Sequence, residues 1–528
     1  MMRTWLATPA PARTTRIVPR TTSRRAPSIN ESDRRGVVHL TAEYWPLART
    51  GGLGEAVAGL AGLQATSGIP TTVVMPLYRA ARESLTGLHP VSESFAISIG
   101  GRQEVGRVFL AEARAAAPRV FLIEHQQYFD RRGIYGIDGA DYPDNARRFA
   151  FFTLAALRAL PAIAPFADVL HAHDWHAALA PAYLRTVLAG QPYHDRMAAV
   201  LSVHNAGFQG VFPADALSDI GLPTESCDPG AFNWYGQTNL LKGGIGFSDA
   251  VVTVSPTHAT ELRSADGGFG LHETFDALGH RLTGILNGID LEVWNPQTDG
   301  AIAASYTRND FTGKRRCKAA LQRAFSLPEL DRVPLLGMSS RLTTQKGLDL
   351  ILAGLTANTE AQFAFLGCGE SRYEQSLTDL AVAFPDRIGV QLAFTDDREH
   401  ELIAGADMLL MPSLYEPCGL TQMRAQLYGT LPVARRVGGL ADTVDDGVTG
   451  FLFDEYSAEA LQRAVNRAID VYHESDAWVR MMRLAMMRGF GWPRSTERYA
   501  RTYRQAIARR VARHERSTAD AELSLSAL

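Results

Sequence analysis

Short runs of apolar residues alternate with longer amphipathic stretches along most of the chain. The first run covers residues 37–42, and after a glycine-rich turn residues 55–66 carry apolar side chains at helical spacing. Apolar strands that alternate with helices are typical of a parallel sheet, so this part of the chain predicts an α/β domain. The strands predicted in this first series are residues 37–42, 71–76, 120–124, 169–172, 199–204 and 250–255.

A second series of strands and helices follows, and the chain joins the two series near residues 287–295. The fold class predicted is therefore α/β, with two Rossmann-like domains that face each other. Ligands of such sheets bind beyond the carboxyl ends of the strands, so we expect the active site in the cleft between the domains. The strands predicted in the second series are residues 334–339, 362–366, 388–392, 408–412, 431–434 and 450–453.

The regions outside the two series complete the predicted domain organisation. Residues 1–35 are rich in Arg, Thr and Pro and show no apolar periodicity, which predicts a disordered extension. An Arg-rich, acid-poor start is also typical of an organellar transit peptide, whereas it lacks the apolar core of a secretory signal. The domains expected are residues 36–290 and 291–485, followed by a helical segment over residues 486–528 that returns towards the N-terminal domain before a short tail.

Composition narrows the class of protein. The 528 residues have a formal net charge of −3, which gives no reason to expect a nucleic-acid or membrane-surface partner. The four cysteines are widely scattered, so they form no disulfide framework and fit a reducing compartment. No apolar run is long enough to span a membrane. These properties predict a cytoplasmic protein, or a plastid protein if residues 1–35 are a transit peptide.

Lysine is rare in this chain. Only four of the 53 basic residues are lysine, namely Lys242, Lys314, Lys318 and Lys346. Where arginine replaces lysine so widely, a retained lysine is more informative than usual. We expect Lys314 and Lys318 to be surface residues of a helix, whereas Lys346 lies in a loop with candidate chemistry.

Three glycine turns, at residues 51–53, 419–421 and 438–440, each precede a predicted helix. Each turn offers backbone N–H groups and a helix N-terminus to an anion, or serves only as a tight connection between strand and helix. The chain lacks both the G-x-G-x-x-G fingerprint and the P-loop motif. This absence argues against a nicotinamide oxidoreductase and against P-loop chemistry.

Charged residues follow two strands of the second series. Arg341 and Lys346 share one loop, where two cations can neutralise a diphosphate or form an ordinary solvated surface. Glu416 precedes the glycine turn at 419–421, where a carboxylate can bind sugar hydroxyls or act as a helix-start acid. In the first series, His171, His173 and His176 lack the spacing of a zinc site, so with Trp175 they predict a polar sugar pocket and no metal.

These residues belong to longer motifs that resemble one family. The chain is similar to the bacterial glycogen synthases and plant starch synthases from Val38 to about Tyr503, and the motifs occur in the family's order. The motifs include AEYWPLARTGGLGE (42–55), DVLHAHDWHAALAPAYL (168–184), VHNAGFQGVFP (203–213), NLLKGGIGFSDAVVTVSPTHA (239–259), SRLTTQKGLDL (340–350), MPSLYEPCGLTQM (411–423) and GTLPVARRVGGLADTV (429–444).

The resemblance implies the GT-B arrangement and a retaining transfer of glucose from a sugar nucleotide to the 4-hydroxyl of an α-1,4-glucan. It implies no cofactor besides the substrate ADP-glucose, and it leaves UDP-glucose open as the donor. The catalytic residues implied are Arg341, Lys346, Glu416 and His173. The donor-binding residues implied are Arg49, Gly51, Gly52, Phe394, Cys418, Gly419, Leu420 and Thr421. The sugar-pocket residues implied are Asp144, Asn239, Lys242 and Glu55.

Two positions depart from the family's loop, which usually reads Lys-x-Gly-Gly-Leu-x-Asp. In this chain Arg49 and Glu55 stand at the two ends of that loop. Both charges are kept, but the side chains that carry them differ in shape and length. Two alternatives to the glucan synthase remain at this point. They are a related glycosyltransferase with another acceptor, and a glucan-binding scaffold without activity.

Overall fold

The computed structural model describes residues 36–526, except for residues 113–115, 138, 223–228 and 356–358. Residues 1–35, predicted to be a disordered extension or a transit peptide, lie outside the described residues. Within the described part of the chain, no helix combines the length and apolarity needed to cross a membrane.

The N-terminal half forms a mixed sheet around Gly36–Leu40, which pairs in parallel with Thr71–Pro76 on one side and Ala167–His173 on the other. These strands are buried on both faces, which explains why apolar residues predominate in each of them. All six strands predicted in the first series belong to this sheet. Across the sheet, the strands in the described residues are Leu282–Gly284, Ala250–Thr253, Ala198–Val203, Ala167–His173, Gly36–Leu40, Thr71–Pro76, Arg119–Glu124, Arg102–Ala111 and Leu88–Pro90, with Phe95–Ile99 paired to Arg102–Ala111.

One edge of this sheet was not predicted. Arg102–Ala111 pairs antiparallel with Arg119–Glu124 and with Phe95–Ile99. Side chains along Arg102–Ala111 alternate between exposed and buried near its middle, so the strand has no continuous apolar run. An edge hairpin of this kind therefore does not appear as an apolar run in the sequence.

The C-terminal half forms a parallel sheet that contains all six predicted strands. Its central strand, Leu335–Ser339, pairs with Gln362–Leu366 and with Met408–Met411. In order across the sheet, its strands are Ile388–Gln391, Gln362–Leu366, Leu335–Ser339, Met408–Met411, Leu431–Arg435 and Phe451–Phe453.

Helices cover both sheets. The predicted helix at 55–66 begins three residues earlier, at Gly52. Those of the N-terminal half are Gly52–Thr66, Arg79–Ser84, Gln126–Phe129, Asn145–Ile163, Asp174–Ala177, Leu179–Arg185, Pro192–Asp195, Ala216–Asp219, Leu240–Phe247, Pro256–Glu261 and His272–Asp276. Those of the C-terminal half are Thr312–Ala324, Leu348–Leu350, Ser371–Ala383, Asp396–Gly405, Thr421–Leu427, Gly438–Thr443, Ala458–His473, Ser475–Met486 and Pro493–Ser526.

The last helix, Pro493–Ser526, packs on the N-terminal sheet. Its Tyr499, Tyr503 and Ala506 are buried in one cluster with Val200 of that sheet. The helix therefore returns to the first half of the chain and joins the two halves a second time. The predicted boundaries at residues 290 and 485 fall outside both sheets and stay predictions.

Lys314 and Lys318 are not surface residues, so that prediction was wrong. They are 5% and 4% exposed on helix Thr312–Ala324. The Lys314 Nζ donates to the carbonyls of Ala404 and Ala406, both at 3.0 Å. The Lys318 Nζ lies 2.8 Å from Asp407 Oδ2. A helical pattern of lysines cannot reveal acceptors that come from distant strands and loops.

Candidate functional site

The carboxyl ends of the two sheets enclose a cleft with a volume of about 460 Å³. Loops after Gly36–Leu40 and Ala167–His173 form one wall, and loops after Leu335–Ser339 and Met408–Met411 form the other. This is the position expected for a ligand of two facing Rossmann-like sheets. The predicted site residues that line the cleft are Arg49, Gly51, Gly52, Glu55, Arg341, Lys346, Phe394, Glu416, Cys418, Gly419, Leu420 and Thr421.

Two cations and one carboxylate meet on the C-terminal wall. The Lys346 Nζ lies 2.5 Å from Glu416 Oε2, and the hydroxyl of Ser413 donates to the same carboxylate at 3.2 Å. Arg341 lines the cleft nearby and forms no ion pair with any residue that the structure describes. An anion that enters the cleft therefore finds one unpaired guanidinium and one ammonium beside it.

The backbone around Glu416 is held by the third glycine turn. The N–H of Gly439 donates to the carbonyl of Glu416 at 3.0 Å. Gly438 has a φ of +43°, and a Cβ there would lie 2.0 Å from the Glu416 oxygen, so only glycine fits. This turn is absent from the described cleft lining. The turn at 438–440 therefore supports the wall and does not face an anion, unlike the turns at 51–53 and 419–421.

The first glycine turn is fixed by a buried carboxylate that the sequence analysis missed. Glu43 is 3% exposed, and its two oxygens accept from the backbone N–H and the hydroxyl of Thr50, both at 2.7 Å. Tyr135 donates to the same carboxylate at 2.5 Å. Gly51 and Gly52 follow directly, at the N-terminus of helix Gly52–Thr66. Backbone N–H groups and the helix dipole thus face the cleft.

The two departures from the family loop form one ion network across the cleft. Arg49 donates to Glu55 Oε1 at 2.6 Å and to Asp396 Oδ1, on the other domain, at 2.5 Å. The second oxygen of Glu55 pairs with Arg424, also from the other domain. Arg424 is 5% exposed and lies 3.0 Å from Glu399. Arg49 and Glu55 therefore bind each other and connect the two walls.

A hydrogen-bonded cluster of histidines lies beneath the N-terminal wall. His39, His171 and His173 are fully or almost fully buried, and burial lowers the pKa of His39 to about 4. Burial also holds the pKa values of His171 and His173 well below the usual value. The three rings are close enough to share a metal, but each of their six nitrogens has a protein partner. These partners are Gln64, Tyr503, Ser202, His204 and, between His39 and His173, the other ring.

Comparison with known proteins agrees with this architecture. A family model described as starch synthase catalytic domain matches residues 36–277, and one described as glycosyl transferases group 1 matches residues 323–482. Glycogen synthase 2 of Geobacter sulfurreducens is 40% identical over 478 residues, which cover 89% of this chain and 98% of that protein. The chain belongs to the glycogen and starch synthase family.

Two further comparisons extend the result. A glycogen synthase of Anaeromyxobacter dehalogenans is 40% identical over 476 residues, with 89% of this chain and 98% of that protein covered. The catalytic domain of starch synthase IV from Arabidopsis thaliana, solved bound to ADP and acarbose, superposes with a TM-score of 0.80 at 31% identity and covers 90% of this chain and 99% of that one. The GT-B fold and the assignment to a retaining glucosyltransferase family are thus confirmed.

Four residues implied by the resemblance lie away from the described cleft lining, and the first is His173. It is 1% exposed, and its ring is held between His39 and His204, each at 3.0 Å. Its side chain therefore does not reach the cleft. His176 lines the cleft instead, three residues further along the chain, where a helical turn brings its ring to the surface of the wall.

Asp144, Asn239 and Lys242 have structural partners of their own. Asp144 accepts from both terminal nitrogens of Arg131, at 2.8 and 2.6 Å. Burial alone would raise the pKa of Asp144, but the hydrogen bonds from Arg131 lower it. Asn239 caps helix Leu240–Phe247 by accepting from the Lys242 N–H at 2.9 Å. None of the three is among the described residues that line the cleft.

Asp174, which the sequence analysis did not select, lines the cleft together with His176 and Trp175 of the predicted sugar pocket. Asp174 has a φ of +55°, and burial raises its pKa to about 7. It accepts from the His204 N–H at 2.7 Å. His176 stacks on Tyr135 at 4.5 Å, and its buried Nδ1 has no hydrogen-bond partner among the described residues. A strained backbone and an unpaired buried nitrogen both favour a ligand-binding role.

Proposed function

We propose that the cleft transfers glucose from ADP-glucose to the non-reducing 4-hydroxyl of an α-1,4-glucan, with retention of configuration. The observation that carries this proposal is the meeting of Arg341, Lys346 and Glu416 on one wall of a cleft between two Rossmann-like sheets. The two cations suit a diphosphate, and the carboxylate suits the hydroxyls of the sugar attached to it. The ADP-bound starch synthase relative supports an adenine nucleotide as the donor.

Arg341 and Lys346 stabilise the leaving group in this proposal. The bond between the anomeric carbon and the β-phosphate oxygen breaks, and negative charge accumulates on the departing ADP. Fixed cations in a closed cleft stabilise that charge more strongly than water does. The glycine turns at 51–53 and 419–421 add backbone N–H groups on the two sides of the cleft.

Retention follows from attack on the same face as the leaving group. The acceptor 4-oxygen forms its bond to the anomeric carbon, and its proton passes to the departing phosphate oxygen. Attack on that face needs no nucleophilic carboxylate, so we assign no covalent intermediate. Asp174 and His176 lie beside the glucose in this proposal, and His173, whose side chain is buried, contributes through its main-chain carbonyl. His176 lines the cleft, and we assign it to the surroundings of the glucose on that ground.

The donor site proposed needs no metal, because the two side-chain cations supply the positive charge. Phe394 lines the same wall and offers an aromatic ring to the nucleotide base. Cys418 lines it too, and burial raises the pKa of its thiol to about 12, so this thiol stays protonated and acts by packing.

A comparison of donors tests the proposal. The purified chain is incubated with glycogen and either ADP-glucose or UDP-glucose, and both nucleoside diphosphate release and glucose incorporation are measured. We expect incorporation with ADP-glucose, retained in the presence of EDTA, and α-1,4 linkages by proton NMR of the product. Incorporation only with UDP-glucose would contradict the donor, and absence of incorporation with both donors would contradict the activity.

The bacterial relatives give no support to an organellar transit peptide at residues 1–35. A glucan acceptor is the partner that the family implies. The expectations of no nucleic-acid partner and no membrane partner stay predictions.

A further inference from the structure

The third glycine turn is held by a short helix of the N-terminal half. This helix, Pro256–Glu261, packs on helix Gly438–Thr443 of the other domain. At its end, the Oε1 of Glu261 accepts from the backbone N–H of Gly438 at 2.8 Å. Burial alone would raise the pKa of Glu261, but hydrogen bonds from His258 and from the Gly438 N–H lower it. A charged acceptor thus binds the glycine turn from across the domain boundary.

Two further residues at the start of the same helix bind the other domain. Thr257 donates to the two oxygens of Asp442, through its hydroxyl at 2.7 Å and through its backbone N–H at 2.9 Å. Ser255 is fully buried, and its hydroxyl donates to the carbonyl of Pro417 at 2.6 Å. We call Ser255, Thr257 and Glu261 the clamp, because all three are hydrogen-bonded to the C-terminal domain.

The clamp reaches the backbone of Glu416 by two routes. Pro417, whose carbonyl accepts from Ser255, is the next residue in the chain. The carbonyl of Glu416 itself accepts from the N–H of Gly439 at 3.0 Å, and Gly439 directly follows the residue that Glu261 binds. Two consecutive carbonyls of this loop are therefore held by the N-terminal domain, one directly and one through the glycine turn.

The glycine turn transmits this contact because it lies directly against the loop. A Cβ on Gly438 would lie 2.0 Å from the Glu416 oxygen, and a Cβ on Gly439 would lie 2.0 Å from the Cys418 oxygen. Backbones packed this closely do not shift independently of each other. A displacement of the turn therefore displaces the loop at residues 416–418, and the Glu416 side chain moves with that loop.

We propose that Glu261 is a positioning residue for Glu416: its carboxylate fixes the loop so that the Glu416 side chain meets the hydroxyls of the donor glucose. This inference rests on the proposed function, in which Glu416 binds that glucose. The sugar contact then depends on the opposite domain, because the carboxylate that fixes one wall belongs to the other one. Arg341 and Lys346, the cations proposed for the diphosphate, lie on a different loop. Loss of the clamp should therefore affect the sugar far more than the nucleotide.

Glu261→Ala tests the positioning role in calorimetric titrations with ADP and, without acceptor, with ADP-glucose. A hydrogen bond to a charged group contributes roughly tenfold or more in affinity. We therefore expect the Kd for ADP-glucose to rise roughly tenfold and the Kd for ADP to stay within about twofold. Glu261→Gln should recover most of this loss, because its side-chain oxygen can still accept from the Gly438 N–H. A contact that only joins the two domains would change both Kd values alike.

Glu104→Ala is the matched control. Glu104 is a carboxylate with a histidine partner, as Glu261 is, and the two side chains are 16% and 28% exposed. Glu104 accepts from the Tyr128 hydroxyl at 2.7 Å and lies 3.0 Å from His125 Nε2. It belongs to the edge strand Arg102–Ala111, which contributes no residue to the described cleft lining. Its loss should lower the thermal unfolding midpoint and leave both Kd values unchanged.

Hydrogen exchange of the free protein tests the clamp without any ligand. The backbone N–H groups of Gly438 and Gly439 should exchange faster in Glu261→Ala than in the wild type, and at the wild-type rate in Glu104→Ala. Thr257→Val keeps the shape of the side chain and removes its hydroxyl bond to Asp442. This variant should act in the same direction, and it takes the place of Glu261→Ala if the latter yields too little folded protein.

Two results would overturn the inference: equal effects of Glu261→Ala on the two Kd values, or unchanged exchange at Gly438 and Gly439. Failure of the proposed function is a separate result, in which the wild type neither binds ADP-glucose nor transfers glucose to glycogen. Faster exchange in Glu261→Ala would then still show that Glu261 fixes the loop, and unchanged exchange would refute that step as well.

Discussion

The buried histidine cluster should make the stability of this protein depend on pH. His39 is fully buried, and burial lowers its pKa to about 4. In the unfolded chain the same ring has a pKa of about 6.5. Well above pH 6.5 the ring is neutral in both states, and stability does not depend on this group. As pH falls from 6.5 towards 4, only the unfolded state gains the proton, so the free energy of unfolding falls.

The size of this effect follows from the difference in pKa. One unit corresponds to about 1.4 kcal/mol, so at pH 5.0 His39 alone should lower the free energy of unfolding by about 2 kcal/mol relative to pH 7.5. Burial lowers the pKa values of His171 and His173 in the same direction, so the whole protein should lose more than this. Below pH 4 the contribution of His39 becomes constant.

Urea unfolding of wild type and of His39→Gln, each at pH 7.5 and pH 5.0, measures the effect. The glutamine can still donate to Gln64, the residue that accepts from His39 Nε2 at 2.7 Å, but it does not titrate. We expect the loss of stability between the two pH values to be smaller by about 2 kcal/mol in the variant. If both proteins lose the same free energy, the ring is not held neutral by burial and the reasoning fails.

Two further predictions concern lysines in different environments. Lys346→Ala should lower kcat roughly 10²–10³-fold at saturating donor, because it removes one of the two fixed cations that stabilise the leaving group. Turnover close to that of the wild type would show that Lys346 does not stabilise the leaving group. Lys318→Met should lower the free energy of unfolding in urea by roughly 3–5 kcal/mol, because it leaves Asp407 buried without its partner, whose Nζ lies 2.8 Å away. Active-site titration should show unchanged kcat per folded molecule, and a wild-type unfolding midpoint would contradict the structural role.

The parallel strands could be predicted from sequence because both of their faces are buried. Gly36–Leu40 and Leu335–Ser339 are buried at every position, so each appears as a predominantly apolar run. Arg102–Ala111 is an edge strand with exposed positions, and its pairing depends on residues distant in sequence. Predicting this strand requires knowing which strands it pairs with, and a pattern of apolar runs does not contain that information.

The site residues that could be predicted from the sequence are those that directly follow a parallel strand. Arg341, Lys346 and Glu416 follow parallel strands, and a shared sheet edge brings them together. His173 also ends a strand, but the last side chain of a strand can face the cleft or the interior. The direction is set by partners such as His39, on a neighbouring strand, and His204, directly after another strand. Motif position alone therefore cannot distinguish His173 from His176.

The two loop departures are best understood as one coupled change. Arg49 and Glu55 pair at 2.6 Å, and Glu55 also reaches Arg424, which is 5% exposed and belongs to the other domain. A shorter carboxylate would have to give up one of these two arginines. Arg49 in turn uses its second terminal nitrogen for Asp396, and the compact ammonium of a lysine does not reproduce this fork geometry.

This coupling predicts that the single changes are not additive. Arg49→Lys and Glu55→Asp should each raise the KM for ADP-glucose, and the double variant, which restores the pattern of the family loop, should recover at least about 1 kcal/mol of the summed loss. The measurement is a double-mutant cycle on kcat/KM for the donor, with thermal unfolding midpoints to confirm folding. Additive effects within about 0.3 kcal/mol would show that the two residues act independently, and the two departures would then be separate substitutions.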